Sequence, residues 1–164
     1  MSRANDPFQT LPIAREPAES KRYSYDMRAW PRHPVFYEIN TWVWLDELSR
    51  KYERPVTLAA VPSEEWDTLS RLGADAVWFM GVWERSPAGA AIANQNKGLL
   101  EDFRRALPDF RPEDNVGSPY CVRQYAVDEH LGGRKGLAVA RRELASRGLK
   151  LILDFVPNHV APDH

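Results

Sequence analysis

Four side chains in the last third of the sequence have types that suit chemistry or ligand contact: Tyr120, Asp154, Asn158 and His159. Asp154 directly follows an apolar run, and a carboxylate at the end of a parallel strand lies where barrel enzymes carry their functional groups. The same carboxylate would equally suit a plain strand-end cap. Tyr120, which follows a Ser-Pro pair, is either a ligand contact or a turn aromatic packed on the surface.

The elements that must position these side chains can be predicted from composition and periodicity. β-Branched and aromatic residues predict a first strand at 35–42, a continuous apolar run predicts a second at 76–80, and a third is expected at 149–155. The helices predicted between them are a short one at 43–53, one with Ser63 as N-cap that ends at Gly73, and one at 133–147.

Two segments lack these patterns. Residues 1–34 are polar and rich in proline, which predicts an N-terminal extension. Residues 84–125 contain scattered Gly, Pro and Asn without a clean strand, so we expect a long loop excursion with a helix near 98–106. A loop of that length in a compact domain is usually functional.

The alternation of strands and helices predicts an α/β fold with a parallel sheet, in which function lies where the strands end. Side chains alternate between the two faces of a strand. In the third strand one face therefore carries Lys150, Ile152 and Asp154, and the other carries Leu149, Leu151 and Leu153. The leucine face suits a covering layer of helices, and Asp154 is expected at the mouth of the sheet.

Composition excludes several classes of protein. The length of 164 residues corresponds to about one domain, and 22 basic residues nearly balance 23 acidic ones, so a nucleic-acid partner is not expected. No apolar run has the length of a signal peptide or a membrane span, which predicts no membrane association and a cytoplasmic location. The single Cys121 excludes an intramolecular disulfide and a cysteine-cluster metal site.

Five segments, in the right order and spacing, resemble the alpha-amylase family of glycoside hydrolases and transglycosylases. Residues 154–159, Asp-Phe-Val-Pro-Asn-His, are similar to the family's first signature at the end of barrel strand three. Residues 117–125 resemble its Gly-x-x-Tyr segment, 127–133 the approach to its second helix, and 73–79 and 36–39 its second and first strands. The resemblance implies a partial (β/α)8 TIM barrel, roughly the first three strands of a domain that ordinarily needs about 250 residues.

The resemblance also implies roles for the candidate residues. Tyr120 would stack on the sugar ring in the cleavage subsite, and His159 would hydrogen-bond that sugar's hydroxyls. Asp154 would point inward and hold neighbouring barrel side chains, in particular an Arg from the next strand. Asn158 matches a calcium ligand of some members, so calcium is a possible cofactor and no other is expected.

Cleavage of a glycosidic bond needs two carboxylates, about 5–5.5 Å apart in retaining enzymes. The resemblance places them on strands four and five, with a further Asp from strand seven. None of the acids Glu38, Asp75 and Glu84 matches these positions. Cys121 and Gln124 stand where the family often has Asp. We therefore expect a segment of an enzyme that acts on alpha-glucosidic bonds in an alpha-glucan or oligosaccharide, inactive alone. The alternatives are a non-catalytic carbohydrate-binding or complementing piece, and an unrelated small α/β protein.

Overall fold

The computed structural model describes residues 30–164, so residues 1–29 of the predicted N-terminal extension lie outside the described residues. The strands are β1 (Phe36–Asn40), β2 (Ala76–Met80), β3 (Trp83–Arg85), β4 (Val122–Val127) and β5 (Lys150–Leu153). The α-helices are α1 (Thr41–Lys51), α2 (Ser63–Ser70), α3 (Pro87–Ala93), α4 (Lys97–Ala106) and α5 (Gly133–Ser146). Between residues 30 and 164, no helix is both long and apolar enough to span a membrane.

Strands β1, β2 and β5 form a parallel sheet in that order. The register aligns Ile39 with Phe79 and Phe79 with Leu153, which places these side chains on one face of the sheet. Ile39 and Phe79 belong to the buried core and Leu153 packs against it, whereas Trp78 and Ile152 on the other face are only half-buried. The prediction that the leucines of the last strand face the helices is confirmed.

The core lies between this sheet and the helices that follow its strands. It includes Leu45 and Leu48 from α1, Trp66 and Leu69 from α2, and Ala140 and Leu144 from α5. These residues are three or four positions apart within each helix, the spacing that places side chains on a single helix face. Among the described residues, helices cover one side of the sheet, and Phe36, Trp78 and Ile152 on the other side stay partly exposed.

The first strand is shorter than predicted, because Asn40 ends β1 and begins α1 directly. The Oδ1 atom of Asn40 accepts a hydrogen bond from the Val43 amide at 3.4 Å, the arrangement of a helix N-cap. The prediction of strand through residue 42 is wrong for this reason. Thr41 then joins Leu45 and Leu48 on the buried face of the helix.

Helix α2 begins one residue earlier than predicted, with Pro62 rather than Ser63 in the N-cap position. The Ser63 hydroxyl makes no capping bond and accepts instead from Nη2 of Arg147 at 2.9 Å. The same Arg147 donates through Nε to Asp67 at 2.7 Å. Arg147 therefore joins the end of α5 to the first turns of α2.

The segment 84–125 contains more regular structure than the single helix that we predicted. It contains α3 and α4, the second of which matches the helix predicted near 98–106, and its ends form the antiparallel pair β3–β4. Register shifts occur on both sides of Glu84, which explains why no period-two pattern is visible there. Parallel architecture holds for the three-stranded sheet alone.

Candidate functional site

A cleft of about 550 Å³ lies along the half-buried face of the parallel sheet and extends to the carboxyl end of β5. Its lining is mostly aromatic and aliphatic, with one carboxylate: Phe36, Trp78, Tyr120, Ile152, Leu153, Asp154, Phe155, Val156, Pro157 and Asn158. Such a lining suits a ligand with extended apolar faces and a few polar groups to orient it. Three of the four candidate residues, Tyr120, Asp154 and Asn158, line this cleft.

Asp154 is buried, and its carboxylate is held by the second strand and the turn after it. Its Oδ1 atom accepts from the Trp78 indole at 2.8 Å, and its Oδ2 atom accepts from the Gly81 amide at 2.6 Å. The Asp154 carbonyl accepts in addition from the Trp83 indole at 2.9 Å. Within residues 30–164, the partners of Asp154 are thus two indole groups and one backbone amide, and its contact with an Arg from the next strand stays a prediction.

Gly81 allows this arrangement because of its backbone conformation and its lack of a side chain. Its φ is +77°, a left-handed conformation that favours glycine. A Cβ atom at this position would lie 2.8 Å from the Cβ of Pro119. The turn that holds Asp154 and the turn that carries Tyr120 therefore meet at residue 81.

Tyr120 is 41% exposed, and its backbone is fixed by His159. Nε2 of His159 lies 3.0 Å from the Tyr120 carbonyl oxygen, and Nδ1 lies 2.8 Å from the Asn158 carboxamide nitrogen. Because the amide nitrogen can only donate, Nδ1 accepts, and Nε2 carries the proton that is donated to Tyr120. Asn158, His159 and Tyr120 thus form one chain of hydrogen bonds at the rim of the cleft.

His159 itself lies beside the cleft rather than in its lining. It borders an adjoining depression of about 230 Å³ together with Val122, Tyr125 and Phe155. Both of its ring nitrogens already have partners, so a contact with a ligand hydroxyl would replace one of them. The predicted contacts of His159 and Tyr120 with a sugar remain predictions.

The Tyr120 phenol is neutral across the physiological range. Partial burial raises its pKa, and the carboxylates of Asp154 and Glu38 raise it further. The phenol therefore stays a hydrogen-bond donor and keeps an uncharged ring face towards the cleft.

Cys121 and Gln124, which stand where the alpha-amylase family often has Asp, lie outside the cleft lining. Gln124 donates to Oε2 of Glu84 at 2.7 Å, next to the ion pair of Glu84 with Arg123. Cys121 is half-buried, and its Sγ atom would be 2.7 Å from a Cβ placed on Gly89. Neither residue occupies the space beside Tyr120 and Asp154 that a ligand would take.

Residues 155–164 form a strap that passes over β4 and ends at the start of α3. The Val156 amide donates to the Tyr125 hydroxyl at 2.8 Å, and the Asp163 carboxylate accepts from the Ser86 hydroxyl at 2.5 Å and from the Ala88 amide at 3.3 Å. The hydrogen bond from Ser86 is the main cause that lowers the pKa of Asp163. Sequence reasoning did not single out Asp163, because its partner is 77 positions away.

We predict that acid releases the end of this strap. Since the pKa of Asp163 is lowered in the folded chain, its contribution is complete above the ordinary pKa of 3.8 and is lost as the pH falls through the lower folded value. The Ala88 amide resonance should accordingly titrate below about pH 4, where aspartates ordinarily protonate. Asp163→Asn should abolish that titration, and an Ala88 resonance indifferent to pH in the unaltered chain would contradict the prediction.

The assignment of Asn158 as a calcium ligand stays a prediction. Calcium takes six to eight oxygen ligands, usually with several carboxylates. In the part of the chain that the structure describes, no three His, Cys, Asp or Glu side chains group in a way that could hold a metal ion. The nitrogen of the Asn158 carboxamide is engaged with His159, whereas the atom that would bind calcium is the oxygen of the same group.

Comparison with known proteins identifies relatives of part of this chain. No protein-family model matches. The chain is 32% identical over 98 residues to a salivary alpha-glucosidase of Anopheles gambiae, which covers 60% of this chain and 12% of that protein. It is 26% identical over 139 residues to an alpha-glucosidase of Culex pipiens, covering 85% of this chain and 19% of that protein. Among solved structures, Eubacterium rectale Amy13B matches with a TM-score of 0.48 and 18% identity over 80% of this chain and 19% of its own. The chain thus spans less than a fifth of the length of each.

Proposed function

Because the chain is homologous to alpha-glucosidases of the alpha-amylase family, we propose that it forms the first part of a (β/α)8 barrel that acts on alpha-glucosidic bonds. The parallel order β1-β2-β5 supports this proposal, since consecutive barrel strands are neighbours. So does the division of the sheet into a helix-covered face and an uncovered face that leads to the cleft.

The observation that carries the proposal is the aromatic cleft that runs along the open face of the parallel sheet to the end of β5. Tyr120 and Trp78 present ring surface there, and aromatic faces pack well on the apolar faces of sugar rings. Asn158 and the Tyr120 hydroxyl supply hydrogen-bonding groups at the rim. We propose that this cleft contacts one ring of an alpha-glucan or oligosaccharide.

The chain is proposed to bind without cleaving. The cleft lining has a single carboxylate, Asp154, and both of its oxygens accept hydrogen bonds from within the chain. A glycosidase needs a second carboxylate across the scissile bond, and none lies in this lining. This favours the alternative that, by itself, the chain is a carbohydrate-binding or complementing piece of such a barrel.

Titration with maltooligosaccharides, followed by tryptophan fluorescence, tests the proposal because Trp78 lines the cleft. We expect the emission to change on binding, and Tyr120→Ala to weaken the affinity about tenfold, which corresponds to the loss of one aromatic contact of about 1.4 kcal/mol. Tyr37→Ala is the matched control, since Tyr37 is 44% exposed on the opposite face of the sheet.

Two results would contradict the proposal. An unaltered emission at millimolar oligosaccharide, or equal effects of the Tyr120 and Tyr37 substitutions, would remove the cleft as a carbohydrate site. Release of reducing sugar from starch or maltose by the pure chain would show that a carboxylate pair exists and that the binding-only role is wrong.

The remaining proposals concern location and partners. A cytoplasmic location is supported by the single Cys121, since reducing compartments do not select for disulfides. The formal net charge of −1 supports the absence of a nucleic-acid partner. The salivary description belongs to the Anopheles relative and is not transferred to this chain.

A further inference from the structure

Arg85 is a half-buried cation at the junction of the cleft and the excursion. It is the last residue of β3, and its Nη1 atom donates to the Gly117 carbonyl at 2.8 Å. Its Cζ atom lies 4.8 Å from the centre of the Trp42 ring, a cation–π distance. Its Nε and Nη2 atoms are buried and have no hydrogen-bond partner among residues 30–164.

The guanidinium contacts both turns that build the cleft. Gly117 begins the turn that ends at Tyr120, so the bond from Nη1 fixes the base of that turn. On the other side, a Cβ placed on Gly81 would lie only 3.1 Å from Nη2, which shows that the guanidinium lies against the residue whose amide holds Asp154. Arg85 thus lies between the support of Tyr120 and the support of Asp154.

Stability does not explain a guanidinium in this place. Burial lowers the pKa of Arg85, and the carboxylate of Asp128 opposes that effect without fully offsetting it. Buried donors without partners are costly, and an apolar side chain of similar volume is often no less stable in such a position. The position of Arg85 is therefore explained by the two turns that it contacts rather than by a contribution to the free energy of unfolding.

We propose that Arg85 is a positioning residue that sets Tyr120 over the cleft by holding the Gly117 carbonyl while its Cζ atom lies over the Trp42 ring. This inference rests on the proposed function, in which Tyr120 contacts the saccharide. Arginine suits this role better than lysine, because its several N–H groups let one donate to a carbonyl while the cation lies over an aromatic ring.

The test follows the Tyr120 ring in chains labelled with ¹³C at the tyrosine ζ carbon, with Tyr120→Phe used to assign the signal. We expect Arg85→Met to shift the Tyr120 resonance, to move its titration back towards that of an ordinary tyrosine, and to weaken maltooligosaccharide binding at least fivefold. Arg85→Lys should restore part of each change. The melting temperature of Arg85→Met should stay within a few degrees of that of the matched control Arg123→Met, which removes a solvent-exposed arginine from the partner strand.

The outcomes separate this inference from the proposed function. If the unaltered chain binds no saccharide, the proposed function fails, and the resonance of Tyr120 still reports whether Arg85 positions the ring. An Arg85→Met chain that is folded and whose Tyr120 titrates as in the unaltered chain would overturn the inference. If Arg85→Met does not fold, Arg85→Gln, which keeps a polar side chain without the charge, replaces it. A folded Arg85→Gln chain whose Tyr120 titrates as in the unaltered chain would likewise overturn the inference.

Discussion

Replacement of Asp154 by alanine should lower the free energy of unfolding by about 3 kcal/mol, because two donors lose a charged acceptor in a buried site. These donors are the Trp78 indole and the Gly81 amide, at 2.8 and 2.6 Å from the carboxylate oxygens. Saccharide affinity should fall as well, since Trp78 and Asp154 both line the cleft. Urea denaturation followed by circular dichroism measures the first effect, and fluorescence titration measures the second.

Two further variants make this result specific. Asp154→Asn keeps one acceptor oxygen but turns an amide group towards a second donor, so its loss of stability should be intermediate. Asp109→Ala removes an exposed carboxylate of the excursion and should change stability by less than about 0.5 kcal/mol. A loss for Asp154→Ala as small as that of the Asp109 control would show that the two hydrogen bonds do not hold the cleft together.

The largest loss of stability is expected for Phe79→Ala, at about 4 kcal/mol. Phe79 is fully buried, with its ring centre 5.9 Å from that of Trp44 and 6.3 Å from that of Trp66. It joins the middle of the parallel sheet to α1 and α2. Its removal would leave a cavity that tryptophans on two helices cannot readily close. The change in the urea midpoint at constant slope gives the loss directly.

Phe36→Ala is the control for this experiment. Phe36 has the same ring but is 51% exposed on the uncovered face of the sheet, so its loss should cost less than about 1 kcal/mol. Equal effects at positions 36 and 79 would mean that the two faces of the sheet are equivalent in the folded chain. That result would contradict the division into a core face and a cleft face on which the site depends.

The parts of the fold that follow from side-chain periodicity could be predicted from the sequence. The three parallel strands were predicted from short runs of β-branched, aromatic and aliphatic residues, and the long helix between the last two from apolar residues at helical spacing. The position of Asp154 at the strand end followed from the same alternation. These features depend on neighbours within a few residues, which a single sequence displays.

The rest depends on contacts that periodicity does not display. The end of β1 is determined by the side chain of Asn40, a helix cap that competes with the strand propensity of Thr41 and Trp42. The β3–β4 pair was missed because β3 has three residues and an irregular register. Arg85 and Asp163 were missed because their partners, Gly117 and Ser86, are 32 and 77 positions away.

The close approach of residues 81 and 119 limits which side chains these two positions can accept during evolution. A side chain at 81 would be strained by the backbone conformation and would also collide with Pro119, and a change at 119 could relieve the collision but not the strain. Related sequences that carry a larger residue at 81 should therefore differ at 119 too. The two positions would vary as a pair although they are 38 positions apart in the chain.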